Sequence, residues 1–168
     1  HTDYIQKLNV DKNYSMLDGL DNIIQMFDEL KVSATYFVVS ELIDKIKKLI
    51  KKINLEKNEI ASHGVTHTRP LLMSRNNFIN EINQSKKDLE NIILPEKIIG
   101  FRAPCFSMNK QYLYLLKDSG YSYDSSKINF SKHPLYGNFQ LNDFTLINNL
   151  VYLKENFMEF EIPTTKIF

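Results

Sequence analysis

The sequence predicts an α/β fold built around a mostly parallel β-sheet. Two observations support this class: amphipathic helical stretches alternate with short β-branched and aromatic runs, and 168 residues suit one domain with a sizeable core. Connections through helices join parallel strands, so the pattern favours either an open, doubly wound sheet or a (β/α) barrel. The pattern alone leaves both architectures open.

The composition is that of an ordinary soluble globular protein, with 43% hydrophobic and 24% charged residues. A formal net charge of +1 gives no strong overall field, so we expect no nucleic-acid partner. No apolar run is long enough to span a bilayer, and no signal peptide is visible. The single cysteine, Cys105, excludes an internal disulfide. The compartment and the oligomeric state are not predicted.

Apolar residues at three- and four-residue steps predict the first helix over about residues 15–31, with Ser15 as its N-cap. Residues 34–39 form a short β-branched and aromatic run, which predicts a buried strand. The alternation then repeats, with a helix over residues 41–53 and a short strand over residues 59–62.

The same alternation of helices and strands is predicted for the middle of the chain. A third helix is predicted over residues 78–93, followed by a strand over residues 98–101. A fourth helix covers residues 109–119, where Gly120 suits a left-handed position just beyond the helix end, and a strand follows over residues 121–124.

The helical period ends after Asp124. Residues 125–143 are polar and turn-rich, which predicts a long loop. Two strands are predicted over residues 144–153 and a further strand over residues 157–162. These are fewer strands than an eight-stranded barrel needs.

Unusual side chains gather just after the predicted strands, where ligand sites of parallel sheets lie. His63 and His67 follow the strand at residues 59–62, and their four-residue spacing would place both on one face of a helical turn. Two such imidazoles can share a divalent metal, for which zinc is the natural candidate. Two ligands are not a complete site, and the alternative is a surface pair or two hydrogen-bonded core histidines.

Arg102 follows the strand at residues 98–101 directly. A permanent charge at this point needs a carboxylate or an anionic ligand, unless the side chain reaches out to water. Pro104 fixes the next turn and leaves the backbone amide of Cys105 to point into the site as a donor to an oxyanion. We expect the thiol of Cys105 to be structural, because no catalytic signature lies near it in the sequence.

The order of these motifs resembles that of the polysaccharide deacetylases, the NodB-homology or carbohydrate esterase family 4 proteins. A-T-Y-F-V-V at residues 34–39 resembles the family's A-T-F-F-V strand, and S-H-G-V-T-H at residues 62–67 resembles its S-H-x-x-x-H metal motif. G-F-R-A-P-C-F-S at residues 100–107 is similar to its R-x-P motif. G-Y-S-Y-D-S-S at residues 120–126 is similar to the G-Y-x-Y-D-S-S that follows.

Three stretches most resemble the branch associated with exopolysaccharide biosynthesis. They are the F-R-A-P-x-F-S motif, L-Y-G at residues 135–137 and E-I-P-T-T at residues 161–165. The resemblance implies a distorted (β/α) barrel of the seven-stranded NodB type. We expect the barrel to be incomplete, with residues 1–168 forming a single polysaccharide-deacetylase-like domain that is truncated at both ends.

The resemblance also implies a metal-dependent hydrolase that removes N-acetyl groups from the amino sugars of a polysaccharide or cell-surface glycan. His63 and His67 would be metal ligands, most simply of zinc. Arg102 would orient a catalytic aspartate, and the backbone amide of Cys105 would bind the developing oxyanion. The alternative is a catalytically inactive carbohydrate-binding or scaffold domain on the same fold.

Two motifs of the family have no clear counterpart. The acidic pair that provides the base and the third metal ligand is expected upstream of His1, because neither Asp3 nor Asp11 follows a convincing strand. The leucine and histidine pair that supplies the general acid is not found either. His133 precedes the place expected for that pair, so it is interpreted as a loop residue.

Overall fold

A computed structural model describes residue 17, residues 19–130 and residues 133–165 of the chain. The strands in this part of the chain are β1 (Thr35–Val38), β2 (Glu59–Ser62), β3 (Gly100–Phe101), β4 (Tyr123–Asp124), β5 (Thr145–Asn148), β6 (Val151–Lys154) and β7 (Phe157–Phe160). They form one seven-stranded sheet in the order β1-β2-β3-β4-β7-β6-β5.

The sheet combines a parallel part with an antiparallel hairpin. β1 to β4 pair side by side in parallel, and β7 joins β4 in the same direction. β5 and β6 form a hairpin that extends the sheet beyond β7. β1 and β5 are the two edges, so the sheet is not closed within the described residues. The fold is therefore mixed α/β with a single sheet, and the expected barrel is not confirmed.

The helices of the described residues are α1 (Leu20–Glu29), α2 (Ile43–Ile50), α3 (Arg75–Ile93) and α4 (Lys110–Asp118). Side chains cap two of them: Oγ of Ser74 accepts from the N–H of Asn77 at 3.3 Å, and Oδ1 of Asn109 accepts from the N–H of Tyr112 at 2.9 Å. Gly120 has φ 77° just after α4, which confirms the predicted left-handed position. No helix in this part of the chain has the length and apolar character needed to cross a membrane.

The predicted alternation of helices and strands is confirmed, but several boundaries differ. β2 has the predicted limits. α1 is shorter than the helix predicted over residues 15–31, and the N-cap proposed at Ser15 lies outside the described residues. The first strand is only partly buried, with Thr35 exposed. The prediction of a buried strand is wrong here because, among the described strands, β1 lies at the edge of the sheet and pairs only with β2.

The core forms where α3 and α4 pack against the sheet. Phe78, Ile82 and Leu89 lie on one face of α3 and are fully buried. Phe78 stacks on Tyr112 of α4, with ring centroids 4.6 Å apart. This packing fixes the positions at which β2, β3 and β4 end, and the loops after these strands carry the predicted site residues.

Candidate active site

A cavity of about 460 Å³ lies where β2 and β3 end. All four predicted site residues, His63, His67, Arg102 and Cys105, line this cavity. They come from two loops that directly follow neighbouring parallel strands. Because parallel strands end at the same edge of a sheet, residues that are distant in the sequence meet here.

The two histidines converge through a loop and not through a helical turn. Residues 63–67 are not helical, and two of them have left-handed backbone: Gly64 with φ 84° and His67 with φ 56°. The imidazole centroids are 4.9 Å apart, with 56° between the ring planes. The segment is therefore not the helical turn that would have placed both rings on one face, although the two rings do come together. The left-handed backbone of His67 costs about 1–2 kcal/mol, and strain of this kind is concentrated at functional sites.

His63 is held in one tautomer. Its Nδ1 lies 2.6 Å from the backbone carbonyl oxygen of Arg102. A carbonyl oxygen only accepts, so Nδ1 carries the proton and donates, while Nε2 keeps its lone pair. Burial lowers the pKa of His63 to about 4 and also lowers the pKa of His67. Both rings are therefore neutral near pH 7, which is the form that binds a metal.

Two polar side chains of α3 brace the histidine loop. Oε1 of Glu81 accepts from the N–H of Val65 at 2.8 Å, from the N–H of Thr66 at 2.9 Å and from the Thr66 hydroxyl at 3.2 Å. The buried hydroxyl of Ser85 donates to the carbonyl oxygen of Gly64 at 3.1 Å. No motif in the sequence marks Glu81, which is one of several polar residues on α3. Its role becomes visible only when α3 lies beside the loop.

The guanidinium of Arg102 is held by Ser125 and by an aromatic ring. Its Nε donates to the carbonyl oxygen of Ser125 at 2.9 Å, and its Nη2 donates to the Ser125 hydroxyl at 2.7 Å. Its central carbon lies 4.1 Å from the ring centroid of Phe37. Within the described residues, Arg102 forms no ion pair with a carboxylate. Hydroxyl, carbonyl and ring contacts therefore hold the charge, for which a carboxylate, an anionic ligand or exposure to water was expected.

Cys105 lies in the short turn Pro104–Phe106 and lines the cavity. Cys105 and Phe106 both have left-handed backbone, with φ 55° and 51°. Two consecutive non-glycine residues in this conformation store strain beside the cavity. The loop is anchored at Ala103, whose N–H donates to the hydroxyl of Ser126 at 2.8 Å.

Two fully buried acids, Asp124 on β4 and Glu159 on β7, connect to this loop through Ser126. The hydroxyl of Ser126 donates to Oδ1 of Asp124 at 2.7 Å, and the N–H of Ser126 donates to Oε1 of Glu159 at 3.1 Å. Burial raises the pKa of Asp124 to about 6, and burial and the Asp124 charge raise the pKa of Glu159. Oε2 of Glu159 is buried and has no hydrogen-bond partner within the described residues while Glu159 is a carboxylate. A proton on Glu159 that is donated to Asp124 satisfies this oxygen.

His133 also lines the cavity, next to Tyr136. The two rings stack, with centroids 3.7 Å apart and 21° between their planes. His133 does lie in a loop, as predicted, but this loop forms part of the cavity wall. No pattern in the sequence indicates this position, because no strand end or spaced ligand pair accompanies His133.

The cavity supplies part of the donor set that a divalent metal requires. Two neutral imidazoles at one cavity, one of them held by a carbonyl hydrogen bond at Nδ1, fit two ligand positions. The residues that the structure describes contain no group of three or more His, Cys, Asp or Glu side chains that could hold a metal ion. Asp3 and Asp11 lie outside the described residues.

A family model described as polysaccharide deacetylase matches residues 7–123 of the chain. Among solved structures, a Mycobacterium smegmatis protein assigned to the polysaccharide deacetylases is 23% identical, with a TM-score of 0.66 over 88% of this chain and 46% of that chain. A pseudoenzyme of the CE4 family from Bacillus anthracis is 18% identical, with a TM-score of 0.57 over 62% of this chain and 37% of that chain. A Streptococcus pyogenes deacetylase in complex with acetate is 18% identical, with a TM-score of 0.59 over 70% of this chain and 53% of that chain.

These structural likenesses establish the fold. The chain spans about half the length, or less, of each of these three proteins. None of the curated proteins matches the sequence.

Proposed function

The chain belongs to the polysaccharide deacetylase family, and from this premise we propose that it is a metal-dependent hydrolase of N-acetyl groups. Its substrate would be an N-acetylated amino sugar in a polysaccharide or cell-surface glycan. We further propose that residues 1–168 are a piece of a single domain of this family.

The observation that carries the proposal is the geometry of the two histidines. Their centroids are 4.9 Å apart at one cavity, and the carbonyl of Arg102 fixes the proton of His63 on Nδ1. A hydrogen bond from one ring nitrogen to a carbonyl oxygen is the usual arrangement of a histidine that binds metal through the other nitrogen. A core pair of histidines would not require strained backbone at His67.

His63 and His67 would hold the metal, most simply zinc, and we propose that a carboxylate from outside the described residues completes the ligand set. A bound divalent cation would supply Lewis-acid polarisation of the acetamide carbonyl. The hydrogen bond from His63 to the loop of Arg102 keeps one ring oriented for this ligand, and burial keeps it unprotonated.

The loop after β3 would act on the substrate carbonyl oxygen and on the position of the catalytic aspartate. We propose that the backbone amide of Cys105 donates to the carbonyl oxygen as negative charge develops there. Arg102 would position a catalytic aspartate, and its bonds to Ser125 keep its side chain in one orientation. Water would add to the carbonyl carbon, the C–N bond would break, and acetate and a free amine would leave.

Membership of the exopolysaccharide-associated branch is also proposed. Two of the stretches that resemble this branch touch each other: the N–H of Gly137 donates to the carbonyl oxygen of Phe106 at 2.8 Å. This contact supports the view that F-R-A-P-C-F-S and L-Y-G build one site together.

Acetate release from an acetylated chito-oligosaccharide tests the proposal on the full-length protein. We expect zinc-dependent release from the wild-type protein and at least a hundredfold loss for His63→Ala. Asn83→Ala, on the exposed face of α3, is the matched control and should retain activity. Equal release by the His63→Ala variant would refute the assignment of the metal site.

A second candidate is a carbohydrate-binding domain without turnover. It is favoured by the lack of a three-donor group in the described residues and by the fold likeness to a pseudoenzyme. Glycan binding by the zinc-loaded full-length protein, without release of acetate, would support this candidate over the hydrolase.

A further inference from the structure

The segment from His133 to Tyr136 is built into the cavity wall and does not merely cover it. Gly137, which follows this segment, donates its N–H to the carbonyl oxygen of Phe106 at 2.8 Å. A Cβ at Gly137 would lie 1.8 Å from the backbone oxygen of Met108, so only glycine allows this approach. The segment is therefore fastened to the loop that carries Arg102 and Cys105.

The ring of His133 is fixed in orientation and in tautomer. It stacks on Tyr136 at 3.7 Å, and Tyr136 in turn meets the ring of Phe106 edge-on at 5.4 Å. The N–H of Leu135 donates to Nδ1 of His133 at 3.3 Å. Nδ1 is thus an acceptor, and the proton of the neutral ring is on Nε2. This is the opposite tautomer to that of His63, whose Nδ1 is the donor.

This assignment decides between two roles for His133. A residue that delivers a proton must pass through the imidazolium form, in which Nδ1 also carries a proton. That proton would face the N–H of Leu135 and lose the hydrogen bond. The geometry therefore favours a neutral ring that donates one hydrogen bond from Nε2.

The side chains of residues 133–136, which form part of the cavity wall, indicate which class of ligand fits there. Residues 133–137, H-P-L-Y-G, carry no permanent charge, and two nitrogens of the nearby Arg102 guanidinium, Nε and Nη2, donate to Ser125. Aromatic rings beside a few polar donors, here His133 and the Tyr136 hydroxyl, suit a pyranose ring, which has an apolar C–H face and oxygen acceptors at its edge. An anionic ligand would find no charged partner in this segment.

We propose that His133, with Tyr136 stacked against it, forms a binding subsite for an uncharged N-acetylated sugar, in which Nε2–H of His133 donates to a sugar oxygen. The subsite deepens the proposed function and rests on it for the choice of glycan. His133 is a binding residue in this scheme and takes no part in proton transfer.

Two substitutions in the full-length protein distinguish the role of Nδ1 of His133 from that of Nε2. His133→Asn keeps an acceptor near the position of Nδ1 but is too short to place its amide donor at the position of Nε2, whereas His133→Gln keeps an amide donor near that position. We expect the asparagine variant to bind triacetylchitotriose about tenfold more weakly, which is the upper end for one hydrogen bond. We expect the glutamine variant to bind within about threefold of the wild-type protein. Asn138→Ala, an exposed neighbour, is the control.

Binding is measured by titration calorimetry, and turnover by acetate release, with thermal unfolding to check that each variant folds. A raised KM with unchanged kcat in the asparagine variant supports the subsite. Unchanged sugar binding by the asparagine variant overturns the subsite. So does a fall in the kcat of this variant together with loss of the alkaline limb of the pH profile of kcat. If the wild-type protein binds the sugar without releasing acetate and the asparagine variant does not bind, the hydrolase proposal fails while the subsite stands. Absence of sugar binding by the wild-type protein overturns the subsite.

Discussion

Replacing Glu81 with alanine should weaken zinc binding at the site proposed for His63 and His67, because Glu81 holds the loop between them. One oxygen of Glu81 accepts from the N–H groups of Val65 and Thr66 and from the Thr66 hydroxyl. These residues lie between His63 and His67 in the sequence, so Glu81 holds the loop that brings the imidazoles together.

The size of the effect follows from these hydrogen bonds. A hydrogen bond to a charged group contributes about 1.5–3 kcal/mol when it is buried. Glu81 is partly exposed, so water replaces much of what alanine removes, and about 1.5 kcal/mol in total is a reasonable expectation. In the Glu81→Ala variant, zinc binding would have to order the loop at this cost in free energy. Its affinity for zinc should therefore be about tenfold weaker than that of the wild-type protein.

The assay is competition for zinc between the full-length protein and a chromophoric chelator. Glu81→Gln keeps a carbonyl oxygen that can still accept from both N–H groups, so we expect an affinity between those of the wild-type and alanine proteins. Glu56→Ala, at an exposed position outside the cavity, is the matched control. Equal zinc affinity for Glu81→Ala and Glu56→Ala would refute the reasoning.

Three further predictions concern the supports of the site. Gly137→Ala should lower the free energy of unfolding by more than about 2 kcal/mol, because its Cβ would meet a backbone oxygen at 1.8 Å, and chemical denaturation measures this; a neutral effect would contradict the close approach. Ser126→Ala removes the hydroxyl that accepts from the N–H of Ala103 and should cost about 1–3 kcal/mol in the same assay, with a shift in the backbone resonances of that loop; unchanged resonances would contradict the anchor. The raised pKa values of Asp124 and Glu159 stabilise the fold at low pH. This contribution is lost as the pH rises above the ordinary carboxyl range, for Asp124 through about pH 6. Glu159→Gln keeps a neutral donor for Asp124, so its unfolding free energy should decline less between pH 5 and pH 8 than that of the wild-type protein; an equal decline would count against a shared proton.

The sequence predicted the alternation of elements because apolar spacing on amphipathic helices is a local signal. It also placed His63, His67, Arg102 and Cys105 correctly at one cavity, because the ends of parallel strands meet at one edge. The strand ends were less predictable. β3 is only two residues long, since hydrogen bonds to the neighbouring strands, and not its apolar run, set its limits.

What the sequence could not provide are contacts between distant segments. The loop of His63 has no helical hydrogen bonds because Gly64 turns its backbone to the left-handed region, which a four-residue spacing does not reveal. Glu159 belongs to no motif that we identified in the sequence. Its link to the site depends on the pairing of β4 with β7, which places it opposite Asp124. His133 stands far from any strand end, and the hydrogen bond of Gly137 to the Phe106 loop brings it to the cavity.

The central claim is that His63 presents Nε2 to a metal while its Nδ1 donates to the carbonyl of Arg102. Long-range ¹H–¹⁵N correlation spectra of the imidazole nitrogens of the full-length protein test it directly, before and after one equivalent of zinc. We predict a protonated Nδ1 on His63 in both spectra, with zinc shifting its Nε2 and one nitrogen of His67. An unprotonated Nδ1 on His63, or rings of His63 and His67 that do not respond to zinc, would rule out this metal site.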